Sequence, residues 1–431
     1  MVRRGWPWWL LGAFLLAFAL RVGLTAASQG LSTPQRADAN PDAVEYVAIA
    51  RNLAEGRGYR LDPAKPTAAR PPGTPALLLP ACWLFGDSVV ALRLWNCAIS
   101  AAVVPLVMQI GRRIFDHRVG ILAGLLLAIT PAHWYYAFHF LSELPTGLTT
   151  LLGAWLAWEA AKSGSWKVAF SSGVAWGCAI LVRPNMLLAA AATALALLVL
   201  RSLPAGHRWR CALQLSAGVA LVVLPWVVRN RLVIGQPTIC TVVAGATFYG
   251  ANNAIAYDDP QWVGYWWSVQ SLDAAEPPVR RVTAQPDEPS QDRFAQQLGL
   301  EYAKAHANRL PTVLMHRLLR VLWAYPEYPQ NKLGERLLSW SWFLLLPFFA
   351  YGFVRLWLRS PETGLLLSPA LAAVVATAVL FYGCSRFRDA LIPLLSLIGA
   401  FGAVELSSPV FGRRGQPSGA DSTPAEGRAL E

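Results

Sequence analysis

Long apolar runs rich in Leu, Ala and Val recur along this chain and leave few folds open to it. A bilayer core takes about 20 residues of helix, and most runs approach that length. None shows sustained alternation of period two, so helices are expected and a transmembrane β-barrel is not. Only 14% of residues are charged, with a mean hydropathy of +0.38, against roughly 25% charged in soluble domains. The expected fold is an all-α polytopic membrane protein with about ten spans plus one extramembrane region. The spans are placed at about 6–27, 88–111, 119–138, 143–161, 168–183, 185–201, 211–229, 337–357, 363–383 and 390–406.

The net charge of +12 does not point to nucleic acid, because the cations flank apolar runs and no basic, aromatic-laced soluble stretch exists. One set of connections holds Arg3/Arg4, Arg112/Arg113, Lys162/Lys167, Arg201/Arg208/Arg210, Arg355/Arg359 and Arg413/Arg414. The Lys/Arg bias makes that side cytoplasmic. Both termini then lie in the cytoplasm of a multi-pass inner (plasma) membrane protein, and the two longest loops face outward. The first run follows Arg3 and Arg4 and ends at Ala26-Ala27-Ser28, as a cleaved signal does. Its length and the spans that follow favour an uncleaved first span. The six cysteines form no CxxC pair and read as small apolar filler. A Cys240–Cys384 bridge stays open if both face an oxidising compartment.

Four parts are expected. Residues 1–229 form an N-terminal transmembrane module with a first outer loop at 28–87. Residues 230–336 form an extracytoplasmic cap, with helices at about 290–308 and 311–324. Residues 337–406 are C-terminal spans, and 407–431 a disordered cytoplasmic tail. In the first loop Asn40 is a plausible N-cap with Pro41 at the first helical position. Tyr46, Ile49, Ala50 and Leu53 line one face of that helix, and Asp42, Glu45, Asn52 and Glu55 the other, as suits a membrane surface. The run ending at Phe85 is too short to span and reads as re-entrant or interfacial.

Ionisable residues collect at the outer ends of the helices: Asp42, Glu45, Arg70, His139, Glu143, Arg183, Arg386, Arg388 and Asp389. Asp42 is either a carboxylate matched to a helix N-terminus or a general base toward an acceptor hydroxyl. Glu143 is either part of a helix start beside Ser142 or a second carboxylate for sugar hydroxyls. The outer arginines run against the topology bias, and a guanidinium suits phosphate; local pairing, such as Arg388 with Asp389, is the alternative. There is no GxxxxGK[ST] loop, no GxGxxG after a strand, no HExxH and no Cys/His metal set. With no cytosolic domain for a nucleotide sugar, the donor is expected to be lipid-borne and outward-facing. A divalent cation on the outer carboxylates stays open.

The order of motifs resembles bacterial GT-C superfamily glycosyltransferases of the dolichyl-phosphate-mannose–protein mannosyltransferase and aminoarabinose transferase type. They are Asp42-x-x-x-Tyr46, Ala50-Arg51-Asn52-Leu53-Ala54-Glu55-Gly56, Arg70-Pro71-Pro72-Gly73, Leu141-Ser142-Glu143, and Leu181-Val182-Arg183-Pro184-Asn185. Further on stand Arg229-Asn230 with Gly235-Gln236-Pro237, Tyr249-Gly250-Ala251-Asn252-Asn253, and Ser385-Arg386-Phe387-Arg388 with Pro393-Leu394. Relatives often carry Asp-Glu in succession where Ala43 follows Asp42 here. The resemblance implies catalytic roles for Asp42 and Glu143. It implies substrate binding by Glu45, Tyr46, Arg70, His139, Arg183, Arg386 and Arg388. It also implies inverting transfer of sugar from a polyprenyl-phosphate donor to a protein, lipid or glycan acceptor. The competing classes are a flippase of lipid-linked saccharides, which usually shows pseudo-symmetric halves, and a non-catalytic accessory protein of the same fold.

Overall fold

A computed structural model describes residues 8–28, 30–35, 40–62, 64–267, 277–322 and 333–407. In chain order the elements begin with α1 (Trp8–Ser28), α2 (Pro41–Ala54), the antiparallel pair β1 (Arg60–Asp62) and β2 (Lys65–Pro66), and α3 (Gly73–Phe85). They continue with α4 (Val89–Ile114), α5 (His117–Ile129), α6 (Pro131–Phe138), α7 (Glu143–Ser163), α8 (Trp166–Val182), α9 (Met186–Val199) and α10 (Ala205–Val233). An insert follows: α11 (Ala244–Ala251), α12 (Ala254–Asp258), α13 (Pro277–Thr283), α14 (Glu288–Ala305) and α15 (Leu310–Leu322). The chain then forms α16 (Leu333–Arg359), α17 (Pro361–Leu367), α18 (Pro369–Leu380), α19 (Ser385–Asp389) and α20 (Ile392–Ser407).

Each expected span coincides with a helix or a bent helix pair, but fewer than ten qualify as spans on their own. Among the described residues, α1, α4, α10 and the Trp340–Arg359 part of α16 are long and apolar enough to cross a membrane. Counting α5–α6 (bent 54°) and α17–α18 (bent 50°) as single spans raises four to six. Each bend sits where a proline, Pro131 or Pro369, opens the second helix. Proline lacks the N–H that would continue the ladder, and its ring crowds the residue before it. Thr130 is accordingly extended, at φ −66° and ψ 117°. Helices α8, α9 and α20 are apolar but shorter.

Most buried apolar side chains form one core shared by these helices, with two small clusters inside the insert. Helix α8 packs between α7 and α10. Its Gly173 and Gly177 are four residues apart, the spacing that lets helix backbones approach closely. A Cβ on Gly173 would collide with the Leu215 carbonyl of α10, and one on Gly177 with Val222.

Two readings of α2 need correction. Asn40 stands at the N-cap with Pro41 after it, but its side chain makes no cap bond; it turns to His139 instead. Asn52, expected on the polar surface, is 5% exposed. It donates to the Arg60 carbonyl at 2.9 Å, which gives a buried amide its partner. The apolar face of α2, with Ala43, Tyr46, Val47, Ile49 and Ala50 buried, is covered by protein, as the helix packs on α3 and β1. The expected helices at 290–308 and 311–324 are present as α14 and α15. No disulfide joins Cys240 to Cys384. The expected tail lies outside the described residues, apart from Ser407.

Arg183 follows α8 directly and Arg229 lies in the last two turns of α10, so both depend on where these two helices cross. Gly173→Leu should force the pair apart and cost about 1–3 kcal/mol, the usual range for overpacking. Thermal unfolding in detergent checks this; an unchanged midpoint would show that the close approach is not needed.

Candidate active site

Acids and arginines from five distant segments meet at one end of the bundle. Asp42 lies in the first turn of α2. One of its oxygens, Oδ1, is 2.9 Å from Arg70 Nη1, and the other, Oδ2, is 3.4 Å from Arg386 Nη2. Arg70 Nε also pairs with Glu45, one turn along α2. Arg386, in the short α19, reaches on with Nε to Glu143 Oε1 at 2.6 Å. Arg183, just past α8, donates to the same oxygen at 2.6 Å and to Ser142 Oγ at 3.1 Å. Arg386 thus bridges two carboxylates that are a hundred residues apart in the chain.

The charges differ in their setting. Glu143 is 2% exposed, and its Oε2 has no hydrogen-bond partner among the described residues. Asp42 keeps about a quarter of its side-chain surface in contact with solvent. Burial raises its pKa, but the guanidiniums of Arg70 and Arg386 outweigh that and hold it below the usual carboxylate value. Burial opposes the charge on Arg386, while Glu143 and Asp42 more than restore it. Tyr46, 4% exposed, lies under Arg70 at 5.9 Å from guanidinium to ring centroid. Burial, then the charge of Asp42, pushes its phenol up to about 12, so the hydroxyl stays protonated.

His139 borders the cluster. Its Nδ1 accepts from Asn40 Nδ2 at 3.0 Å and lies 3.3 Å from Gln35 Oε1. Burial, then Arg93 and Arg386, pushes its pKa down to about 4, so it acts as a neutral imidazole near neutral pH. The next residue, Phe140, is the described non-glycine residue with a positive φ, at 53°. That region costs an aromatic residue of order 1 kcal/mol or more. The turn it makes carries the chain from His139 to Ser142 and Glu143.

Of the sequence-predicted residues, the structure brings together Asp42, Glu45, Tyr46, Arg70, Glu143, Arg183 and Arg386, with His139 at the edge. Arg388 is placed apart. It is 7% exposed and donates to Asp389 Oδ1 through Nε at 2.9 Å and Nη2 at 2.8 Å. Its Nη1 donates to the Val321 carbonyl, and Trp342 lies 4.3 Å from its guanidinium. Sequence reasoning missed Gln35, Phe140 and Arg93, and named Ser142 only as a neighbour of Glu143. Arg93 lies on α4, is 1% exposed, and holds the carbonyls of Gly30 and Thr33 in the linker before α2. An arginine inside an apolar run was a usable signal for it. Among the described residues no group of three His, Cys, Asp or Glu could hold a metal ion. A cavity of about 300 Å³ beside Trp166, Arg210 and Gln214 and one of about 180 Å³ beside Arg51, Glu55 and Cys82 are lined by none of these residues.

The arrangement is a helical membrane bundle with one acid–arginine cluster at its end. Residues 69–228 match the family described as dolichyl-phosphate-mannose–protein mannosyltransferase, a stretch that includes Arg70, Glu143 and Arg183. The fold is similar to the archaeal oligosaccharyltransferase AglB from Archaeoglobus fulgidus. In complex with an inhibitory peptide and a dolichol-phosphate, that protein aligns at 15% identity and TM-score 0.54, covering 92% of this chain and 50% of its own. Its apo form aligns at 14% and 0.56, covering 93% and 51%. The chain therefore spans about half the length of AglB. ArnT from Cupriavidus metallidurans bound to undecaprenyl phosphate aligns more loosely, at 14% identity and TM-score 0.46, covering 93% of this chain and 78% of its own. No curated protein matches the chain. Family match and fold agree with the resemblance in the motifs: residues 69–228 match that family, and the fold of the chain is similar to that of AglB.

Removing one partner of a buried ion pair leaves an uncompensated charge, which typically costs 3–5 kcal/mol. Glu143 keeps Arg386, so Arg183→Ala should cost about 3 kcal/mol, the low end of that range. Adding Glu143→Gln should recover part of the loss. Unfolding midpoints of the two variants decide; a wild-type midpoint for Arg183→Ala would mean the pair does not hold the site.

Proposed function

We propose that this chain is an inner-membrane glycosyltransferase that moves a hexosyl or pentosyl group from a polyprenyl-phosphate carrier to an extracytoplasmic acceptor, in one inverting displacement. The observation that carries the reading is Arg386 spanning Asp42 and Glu143 while Arg70 holds the other oxygen of Asp42. An acid and several fixed cations at one spot are what sugar transfer from a phosphate requires. The acceptor hydroxyl attacks the anomeric carbon, its proton passes to Asp42, and the bond from that carbon to the phosphate oxygen breaks. The phosphate gains negative charge as it leaves, and Arg70, Arg183 and Arg386 stabilise it. The match to a dolichyl-phosphate-mannose–dependent family and the AglB complex with a dolichol-phosphate and a peptide support a lipid-phosphate donor and a protein among the acceptor classes.

In the free site Asp42 is a poor base, because two guanidiniums stabilise its anion. An arriving phosphate competes for the same guanidiniums. As Arg70 and Arg386 turn toward it, the effect of burial on Asp42 is left less opposed, and its basicity rises. Glu143 stays with Arg183 and anchors the site. Arg388, bonded to the Val321 carbonyl and set against Trp342, keeps α19 in place. Glu45 and Tyr46 orient Arg70, and neutral His139 is placed to take a sugar hydroxyl.

Asp42→Asn should abolish transfer of labelled sugar in detergent while leaving polyprenyl-phosphate binding intact; turnover within about tenfold of wild type would remove Asp42 as the base. Detergent also separates a transferase from a flippase, which needs a sealed vesicle. The pH profile gives a second check. The depressed pKa of Asp42 puts the acid limb of kcat/KM below the ordinary carboxylate value of about 3.9. Arg386→Gln removes a cation that lowers this pKa, so the limb should move to higher pH. A limb that stays in place would mean that Arg386 does not act on the titrating group.

A further inference from the structure

The segment that carries Arg70 is held from outside its own loop as well as from within it. Glu288, the first residue of α14 in the insert, accepts from Thr67 Oγ1 through Oε1 at 2.6 Å and from the Ala68 N–H through Oε2 at 3.0 Å. Thr67 and Ala68 are 4% and 0% exposed. Two further groups near the insert bind the same stretch: Thr241 Oγ1 donates to the Ala69 carbonyl at 2.8 Å, and the Val242 N–H donates to the Ala68 carbonyl at 3.1 Å. From the bundle side, Arg229 of α10 donates to the carbonyls of Thr67 at 2.8 Å and Tyr59 at 3.2 Å. The Tyr59 hydroxyl in turn donates to the Arg70 carbonyl at 2.7 Å.

We infer that Glu288 is a positioning residue for Arg70: its carboxylate fixes the Thr67–Ala68 backbone and so sets where the Arg70 guanidinium stands against Asp42. The chemistry of the residue fits the task. Thr67 Oγ1 and the Ala68 N–H are both donors, and an ionised carboxylate offers an acceptor to each. A glutamine in its place would turn an NH₂ group toward one of the two donors. An aspartate is one methylene short. The consequence is a mechanical link between the insert and a cation of the active site, so that a molecule seated on the insert is felt at Arg70. What Arg70 does chemically rests on the proposed function; the link itself does not.

The test has one readout that needs no activity. Phenylglyoxal modifies accessible arginines, and peptide mass mapping gives the rate at each site. Glu288→Gln, Glu288→Ala and Thr67→Val should each raise the rate at Arg70 several-fold and leave Arg183 and Arg386 unchanged. Glu301→Ala, on an exposed position of the same helix, should change none of them. In transfer assays Glu288→Ala should lower donor kcat/KM about tenfold, the worth of a lost bond to a charged group. That loss should vanish in an Arg70→Ala background, because residues acting through one another are not additive. An unchanged rate at Arg70 overturns the inference. So does an equal rise at all three arginines with a lowered unfolding midpoint, the mark of general loosening. A wild-type protein that transfers no sugar sinks the proposed function, while the labelling still decides the link.

Discussion

The carboxylate–guanidinium array holds this structure's working end together. Asp42 and Glu45 come from α2, Arg70 from the loop before α3, Glu143 from the start of α7, Arg183 from the end of α8, and Arg386 from α19. None of these charges could be buried alone, since an isolated ion in a low-dielectric interior costs several kcal/mol. Each therefore requires the others, and the helices that carry them must come to one end of the bundle. The close α8–α10 crossing, the Phe140 turn and the Arg93 clamp on the linker before α2 are separate local devices with that common result. The array does not make the fold stable by itself. It makes most displacements of these elements expensive, because moving one partner strands another.

What was legible in the chain follows from which forces act locally. Apolar runs fix helices, so every expected span has a helix or a bent pair beneath it. How many cross a membrane depends on bends at Pro131 and Pro369 and on the short lengths of α8, α9 and α20, which hydropathy alone does not resolve. The members of the site were legible because arginines on the side expected to face outward contradict the charge bias that explains the others. Their pairing was not. Arg386 and Arg388 are two residues apart, and only the geometry of α19 sends one to Asp42 and Glu143 and the other to its neighbour Asp389. Asn40 reads as a helix cap by residue type, yet His139, ninety-nine residues away, takes its amide. Glu288 and Thr67 carry no local signal, since their relation exists only once the insert packs on the first loop.

In the proposed reaction the same array lets one site both shelter a base and await an anion. Arg70, Arg183 and Arg386 balance Asp42, Glu45 and Glu143 one for one, so the free site carries no excess charge to be screened or to attract stray ions. In the proposed reaction a donor phosphodiester brings a single negative charge. When the acceptor proton reaches Asp42, that carboxylate becomes neutral, and the departing phosphate becomes more negative by the same amount. The total charge inside the site does not change; it moves from Asp42 to the phosphate. Arg386 and Arg70, already on the oxygens of Asp42, need only swing from one anion to its neighbour. Glu143 is the partner that does not titrate in this scheme. Buried and held by Arg183, it keeps Arg386 within reach of both anions through the transfer. An acid with nothing to do in the proton transfer is thus what the movement of charge pivots on.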